Sequence, residues 1–284
     1  MGDDLTSTET RPPTPLLPSL ATVPIGGFDT VIATATQLAD RMVRDCLEAR
    51  EARAKQAPLP PKLVFSSNGQ GVSLAATDDA FAAVMAQADF VHADGMSVVF
   101  ASRLFNRPRL PERIATTDFF HDAAQAAMAS NLKFYILGGS EEQNAKAYAT
   151  IGELYPSLTL VGRRNGYFNR EEDVAVCDEI LASGADVLWV GLGKPIQEFW
   201  SVNNRERLAG VGWVKTCGGL YAFLAGQAPR APRWAQKAGL EWAWRVMQEP
   251  GRLAWRYLVT NPHALYLMVR SSPPVRPANA EAKG

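Results

Sequence analysis

Residues 186–198 read DVLWVGLGKPIQE. Four consecutive apolar residues, Val187 to Val190, leave a strand no polar side to turn to water. A strand that is apolar on both faces belongs in a parallel sheet covered by helices. Gly191 and Gly193 follow at once, then Lys194 and Gln197, which reads as a tight turn from the strand into a helix. FYIL at 134–137 repeats the pattern and runs into Gly138-Gly139-Ser140.

Working outward, strands are expected at 62–66, 89–92, 133–137, 158–161, 186–190 and 213–216. Helical patterns fall between them, at 35–54, 72–88, 97–104, 118–130, 141–154, 170–182 and 196–208. Strands alternating with helices predict an α/β, Rossmann-like layered fold with a mainly parallel sheet. Ligands of such sheets bind beyond the carboxyl ends of the strands. The expected organisation is a disordered leader (1–20), an α/β catalytic core (21–225), a basic, Trp-rich helical appendage (226–270) and a disordered tail (271–284).

Bulk properties narrow the function. The 284 residues are 47% hydrophobic and 20% charged, enough for a real core, and the formal net charge is zero. That balance argues against nucleic acid as a partner. Cys46, Cys177 and Cys217 are odd in number and far apart, so they suggest neither a disulfide framework nor a metal knuckle, and a reducing cytosol is the expected location. No apolar run reaches the 18 or so residues of a spanning helix. The sequence holds no G-x-G-x-x-G after an early strand, no P-loop and no G-x-S-x-G elbow.

The polar residues that follow the strands are the candidate site. They are Ser66 and Asn68, then Asp94-Gly95, then Gly138 to Ser140, then Lys194 and Gln197, then Cys217-Gly218-Gly219. Glycine at such turns either closes a tight βα connection or lets a ligand approach the backbone. Asp94 is the best candidate for chemistry. It can cap the helix that follows it, or act as a general base toward a sugar hydroxyl. Asp118 reads as the N-cap of the next helix, which leaves Arg113 free to reach an anion. His92 and His121 are too isolated for a metal site. Without an Asp-x-Asp pair to hold a metal, Arg or Lys must neutralise a diphosphate leaving group.

Residues 229–257 contain four of the seven Trp and six basic residues against two acidic ones. Helices that mix Arg with Trp suit a lipid–water boundary, while an ordinary core-packing helix explains the same periodicity. Pro250-Gly251 divides the segment into expected helices at 231–248 and 251–259, with Arg252 and Arg256 on one face of the second. A third is expected after Asn261-Pro262.

Four segments in order, SSNGQ (66–70), ADGMSVVFASRL (93–104), VGLGKPIQE (190–198) and GLYAFLAGQAPRAPRWAQKAGLEWAWRVMQEPGR (219–252), resemble the WecG/TagA/CpsF family of bacterial glycosyltransferases, which act in polysaccharide, teichoic acid and exopolysaccharide biosynthesis. The resemblance implies an inverting hexosyl- or N-acetylhexosaminyltransferase, with a UDP-sugar as donor and a polyprenyl-diphosphate-linked saccharide as acceptor. It implies no metal or other cofactor. It also implies peripheral contact with the anionic inner face of the cell membrane, and it allows a homo-oligomer. By the family pattern, Asp94 is the base, and Ser66, Asn68, Arg113, Lys194, Gln197, Gly218 and Gly219 line the donor pocket. Arg245, Arg252 and Arg256 clamp diphosphate. The chain departs from the pattern at Gly69-Gln70, Thr116 and Ala222, the last where an aspartate is common. Two other readings are an NAD-dependent oxidoreductase, resting on LGGSEE and VGLGK, and a non-catalytic membrane adaptor.

Overall fold

The computed structural model describes residues 20–105, 108–248 and 250–271, without the side chains of Arg233, Lys237, Arg252, Leu253, Arg256 and Ser271. The expected leader and tail fall almost wholly outside these residues.

The chain opens with a hairpin, β1 (Thr22–Ile25) and β2 (Phe28–Val31), turned by Gly26-Gly27 at φ +59° and +87°. Two positive φ values in a two-residue turn match the twist of an antiparallel pair. This hairpin was not among the expected strands. Helix α1 (Ala35–Ala54) follows, capped by Thr34 and Gln37. Next come β3 (Lys62–Ser67), α2 (Gly69–Ala75), α3 (Asp79–Met85), β4 (Phe90–Ala93), α4 (Met96–Phe105) and α5 (Thr116–Ala129). The second half of the sheet adds β5 (Lys133–Gly138), α6 (Glu141–Leu154), β6 (Thr159–Arg164), α7 (Asp173–Ala182), β7 (Val187–Gly191), α8 (Ile196–Asn203), β8 (Trp213–Thr216) and α9 (Leu220–Leu224). The chain ends in α10 (Arg233–Lys237), α11 (Glu241–Gln248) and α12 (Pro250–Ser271).

One eight-stranded sheet runs in the order β1-β2-β4-β3-β8-β7-β5-β6, and every pair except β1–β2 is parallel. The α/β reading is therefore correct, and the double-sided apolar strands explain it. Leu63, Phe65, Leu188 and Val190 enter the core beneath α2, α3, α4, α7 and α8. Val64, Val187, Trp189 and Trp213 enter the core beneath α1, α5, α6 and α9.

Three helix expectations are corrected. The helix expected at 72–88 is two, α2 and α3, because Asp78 starts α3 by accepting from the Phe81 N–H at 3.0 Å. The helix expected at 231–248 is also two, α10 and α11, broken at Gly239 (φ +74°). A Cβ there would stand 3.1 Å from the Phe100 ring, so glycine allows both the turn and the close seat against α4. Conversely, the two helices expected after Pro250 are the single α12, with Pro262 inside it. Proline removes the N–H that would meet the carbonyl of residue 258.

α12 is exposed along one side and gains its buried contacts in its later half. Trp255 and Leu258 stand in solvent, whereas Ala264 and Met268 are buried in the core against α2 and α4. The Ser73 hydroxyl and His263 Nδ1 join the later half to α2 at 2.8 Å.

Candidate active site

The connections from β5 and β7 leave in opposite directions, one outward to β6 and one inward to β8. Such a reversal opens a crevice at the carboxyl edge of a parallel sheet. Here the crevice widens into a cleft of about 1100 Å³, floored by the ends of β3, β4, β5, β7 and β8 and walled by α11 and α12. The floor is backbone at closest approach. At Gly138 (φ +126°) a Cβ would lie 2.4 Å from the Gly191 backbone.

All the expected site residues whose side chains are described line this cleft: Ser66, Asn68, Asp94, Arg113, Lys194, Gln197, Gly218, Gly219 and Arg245. Arg252 and Arg256 belong to α12, but their side chains lie outside the described residues.

Most of the polar groups are held by other parts of the protein. Asn68 caps α2, its Oδ1 accepting from the Gly71 N–H at 3.0 Å. Lys194 donates to the Ser66 carbonyl at 3.1 Å, pairs with buried Glu198 at 3.2 Å and lies over the Phe81 ring. Gln197 is 2% exposed; its Oε1 accepts from the Gly218 N–H and its Nε2 donates to Glu198, tying the β7–α8 turn to the β8–α9 turn.

Arg113 is not free, contrary to expectation. Its Nη1 donates to Glu241 Oε2 at 2.8 Å. Glu241 comes from α11, so nothing local to Arg113 reveals the pair. Asp118 is not an N-cap either. It is the third residue of α5 and forms a two-pronged pair with Arg230. Burial works to raise the Asp118 carboxyl, but the Arg230 guanidinium outweighs it and holds the group below its ordinary value of 3.8.

The cap of α5 comes from Asp94 instead. Its Oδ1 accepts from the Thr116 N–H at 2.8 Å, and its own N–H donates to the Ser67 carbonyl. Asp94 thus braces the helix after the next loop, not the helix that follows it directly. One carboxylate oxygen is spent on this cap, and the carboxylate makes no ion pair with a described residue. From α11, Arg245 lies over the Phe223 ring at 4.9 Å, and no described carboxylate pairs with it. Among the described residues, Asp94 and Arg245 are the two charged groups of the cleft left without a counter-ion.

The sequence assigns no site role to Glu241, Glu198, Tyr257 or Asn261, and it places Trp242 at a lipid boundary and not in the cleft. All but Glu198 line the cleft. Glu241 and Trp242 lay inside the most specific family segment, and that was the available signal.

The fold and this cleft define an α/β protein with a large polar-floored cleft at the carboxyl edge of a parallel sheet. Over residues 32–276 the chain matches the glycosyl transferase WecG/TagA/CpsF family, and it belongs to that family: it is a glycosyltransferase. It is similar to the N-acetylglucosaminyldiphosphoundecaprenol N-acetyl-beta-D-mannosaminyltransferase of Bacillus spizizenii, with 30% identity over 182 residues, 64% of this chain and 68% of the relative. Neither the oxidoreductase nor the adaptor reading draws support from this match. Among the described residues no helix is long and apolar enough to cross a membrane.

Proposed function

We propose that this glycosyltransferase moves a hexosyl or N-acetylhexosaminyl group from a UDP-sugar to a polyprenyl-diphosphate-linked saccharide during synthesis of a cell-surface polysaccharide. The observation that carries the reading is that Asp94 and Arg245 line one cleft as the two charges that the protein itself leaves unmatched among its described residues.

In the proposed step the acceptor hydroxyl oxygen attacks the anomeric carbon from the side opposite UDP. The new C–O bond forms as the bond to the diphosphate oxygen breaks, and that oxygen leaves with the electron pair. Asp94 receives the hydroxyl proton through its uncommitted oxygen. Arg245, joined by Arg252 and Arg256 of α12, stabilises the charge on the departing diphosphate without a metal ion. Ser66, Asn68, Lys194, Gln197, Gly218 and Gly219 shape the donor pocket, chiefly by fixing the strand-end turns.

The mouth of the cleft suits a lipid-linked acceptor. Trp234, Trp242, Met247, Trp255, Leu258 and Val259 are all exposed along α10 to α12. Exposed indoles on a basic helical segment favour peripheral binding at the headgroup level of an anionic membrane. The segment from residue 226 onward is thus proposed as the membrane-proximal part of the enzyme, acting at the inner face.

The test is UDP release from a panel of UDP-sugars, with an acceptor of lipid-diphosphate-linked GlcNAc or glucose in detergent. Acceptor-dependent release from one donor is the expected result and identifies the sugar. No release from any donor, with no UDP binding by calorimetry, overturns the reading.

A further inference from the structure

A polar row crosses the sheet directly below the cleft. Lys215 on β8, Ser66 on β3 and His92 on β4 share one face, because side chains alternate along each strand. Their neighbours two residues back, Trp213, Val64 and Phe90, all enter the core under α1, α5 and α9. Ser66 is in register with His92, and Val64 with Lys215. Lys215 and His92 are both 0% exposed and Ser66 is 6% exposed. The surrounding layer is aromatic, with Phe119 against both His92 and Trp189.

Lys215 is the unusual member. Its ammonium has three donors, and one is used on the Thr216 carbonyl at 2.5 Å. It makes no ion pair with a described residue. His92 donates from Nδ1 to the Ile114 carbonyl at 2.9 Å, which leaves Nε2 as a buried acceptor without a partner. A buried cation without a counter-ion is costly, and replacing it by an apolar side chain of similar shape is often neutral or stabilising. The bond to Thr216 turns the ammonium toward the carboxyl end of β8, the side on which the cleft lies.

We infer that Lys215 is a positioning residue of the transfer reaction, a fixed cation under the cleft floor that favours negative charge at Asp94 and on the leaving diphosphate without touching either. The inference rests on the transferase reading above. Inside a protein a charge acts over longer distances than in water, so contact is not required. The charged and titratable groups around Lys215 are Asp94 beyond β4, Lys194 and Glu198 around the start of α8, His92, and Cys217 just past the end of β8. α9 adds the Tyr221 hydroxyl, bonded to the Trp189 carbonyl. α1 adds the Arg41–Asp45 pair, with Asp45 bonded to Trp213. α5 meets the layer with Phe119 and Phe120. Burial, with a smaller contribution from Lys194, lowers the Lys215 ammonium from 10.5 to about 8 against the opposing effects of Cys217, Asp94 and Glu198, so the charge is lost as pH rises through about 8.

The experiment compares acceptor-dependent UDP release by wild type and Lys215→Met across neutral to alkaline pH, together with thermal melts. The expected variant melts no lower than wild type, while its kcat falls by about 10- to 100-fold and its KM for donor changes by less than about threefold. Wild-type kcat should decline as pH rises through about 8, and the variant should lack that limb. Full kcat in Lys215→Met, or the same alkaline limb in both proteins, overturns the inference alone. So does a lower melting point with kcat falling only in proportion to the folded fraction, which is what a structural role produces. If Lys215→Met does not fold, the wild-type profile decides, and a flat kcat through pH 8 overturns the inference. If wild type releases no UDP from any donor, the transferase reading fails and the inference falls with it.

Discussion

Arg113 and Glu241 meet at 2.8 Å across the mouth of the cleft, one from the loop before α5 and the other from the first residue of α11. The carboxylate sits where an anionic ligand of Arg113 would sit. Arg230 and Asp118 extend the pair, with Arg230 reaching Glu241 at 4.0 Å and Arg113 reaching Asp118 at 3.9 Å. The wall contributed by α11 is therefore held to the core by four alternating charges. Glu241→Gln removes the competing charge from Arg113. UDP should then bind about three- to tenfold more tightly, the scale of one charge-assisted hydrogen bond released to a ligand. Calorimetric titration checks this, and unchanged or weaker binding counts against it.

Asp94 has one role as the cap of α5 and one proposed role as the base, and two substitutions separate them. Asp94→Asn keeps an oxygen for the Thr116 N–H, so its melting point should stay near wild type while transfer falls by about 10²- to 10⁴-fold. Asp94→Ala should lose the same activity and also about 1 kcal/mol of stability, the value of a helix cap. Retained turnover in Asp94→Asn sinks the base assignment.

Arg245 has no described counter-ion to leave behind, so its removal should cost function more than fold. Arg245→Ala is expected to raise the donor KM about tenfold, with little change in the denaturation midpoint. An unchanged KM, measured at low and at moderate salt, counts against a diphosphate contact.

Glycine matters at the floor of the cleft and not at every turn. Gly138→Ala adds a Cβ 2.4 Å from the Gly191 backbone at a φ of +126°, and neither strand can yield. The variant should lose about 3 kcal/mol or more, or fail to fold. Gly152 lies within α6, and a Cβ there meets nothing within 4 Å. Gly152→Ala should gain about 0.5 to 1 kcal/mol. Urea denaturation of the two variants gives the contrast.

Acid should loosen the α11 wall through Asp118. Its carboxyl is held below 3.8 in the folded protein, so its stabilising effect is fully present above that pH. The effect is lost as pH falls through the lowered folded value. Asp118→Asn should flatten this part of the acid limb in a melting-point series. An acid limb identical to wild type argues against the pair's contribution.

The parallel sheet was legible because VLWV and FYIL have no polar face, which only a covered strand tolerates. The cleft floor was legible because its residues sit next to those strands in sequence. The hairpin had a signal, TVPI and FDTV around Gly26-Gly27, but its strands are only four residues long. The partner of Arg113 was not legible. Glu241 lies 128 residues away, and the pair exists only once α11 reaches the cleft. Likewise the fate of Asp94 depends on the Thr116 N–H, which a loop delivers from 22 residues on.

α12 carries Asn261, Ala264 and Leu265 into the cleft wall, and Met268 into the core beside Gly26 of the first hairpin. The last helix described is thus a seat for one of the first turns of the chain. During synthesis the sheet can be complete in outline while its substrate site still lacks a side. A nascent chain has Asp94 long before it has the α12 wall. The cleft has its full described lining only once α12 has been made and has docked.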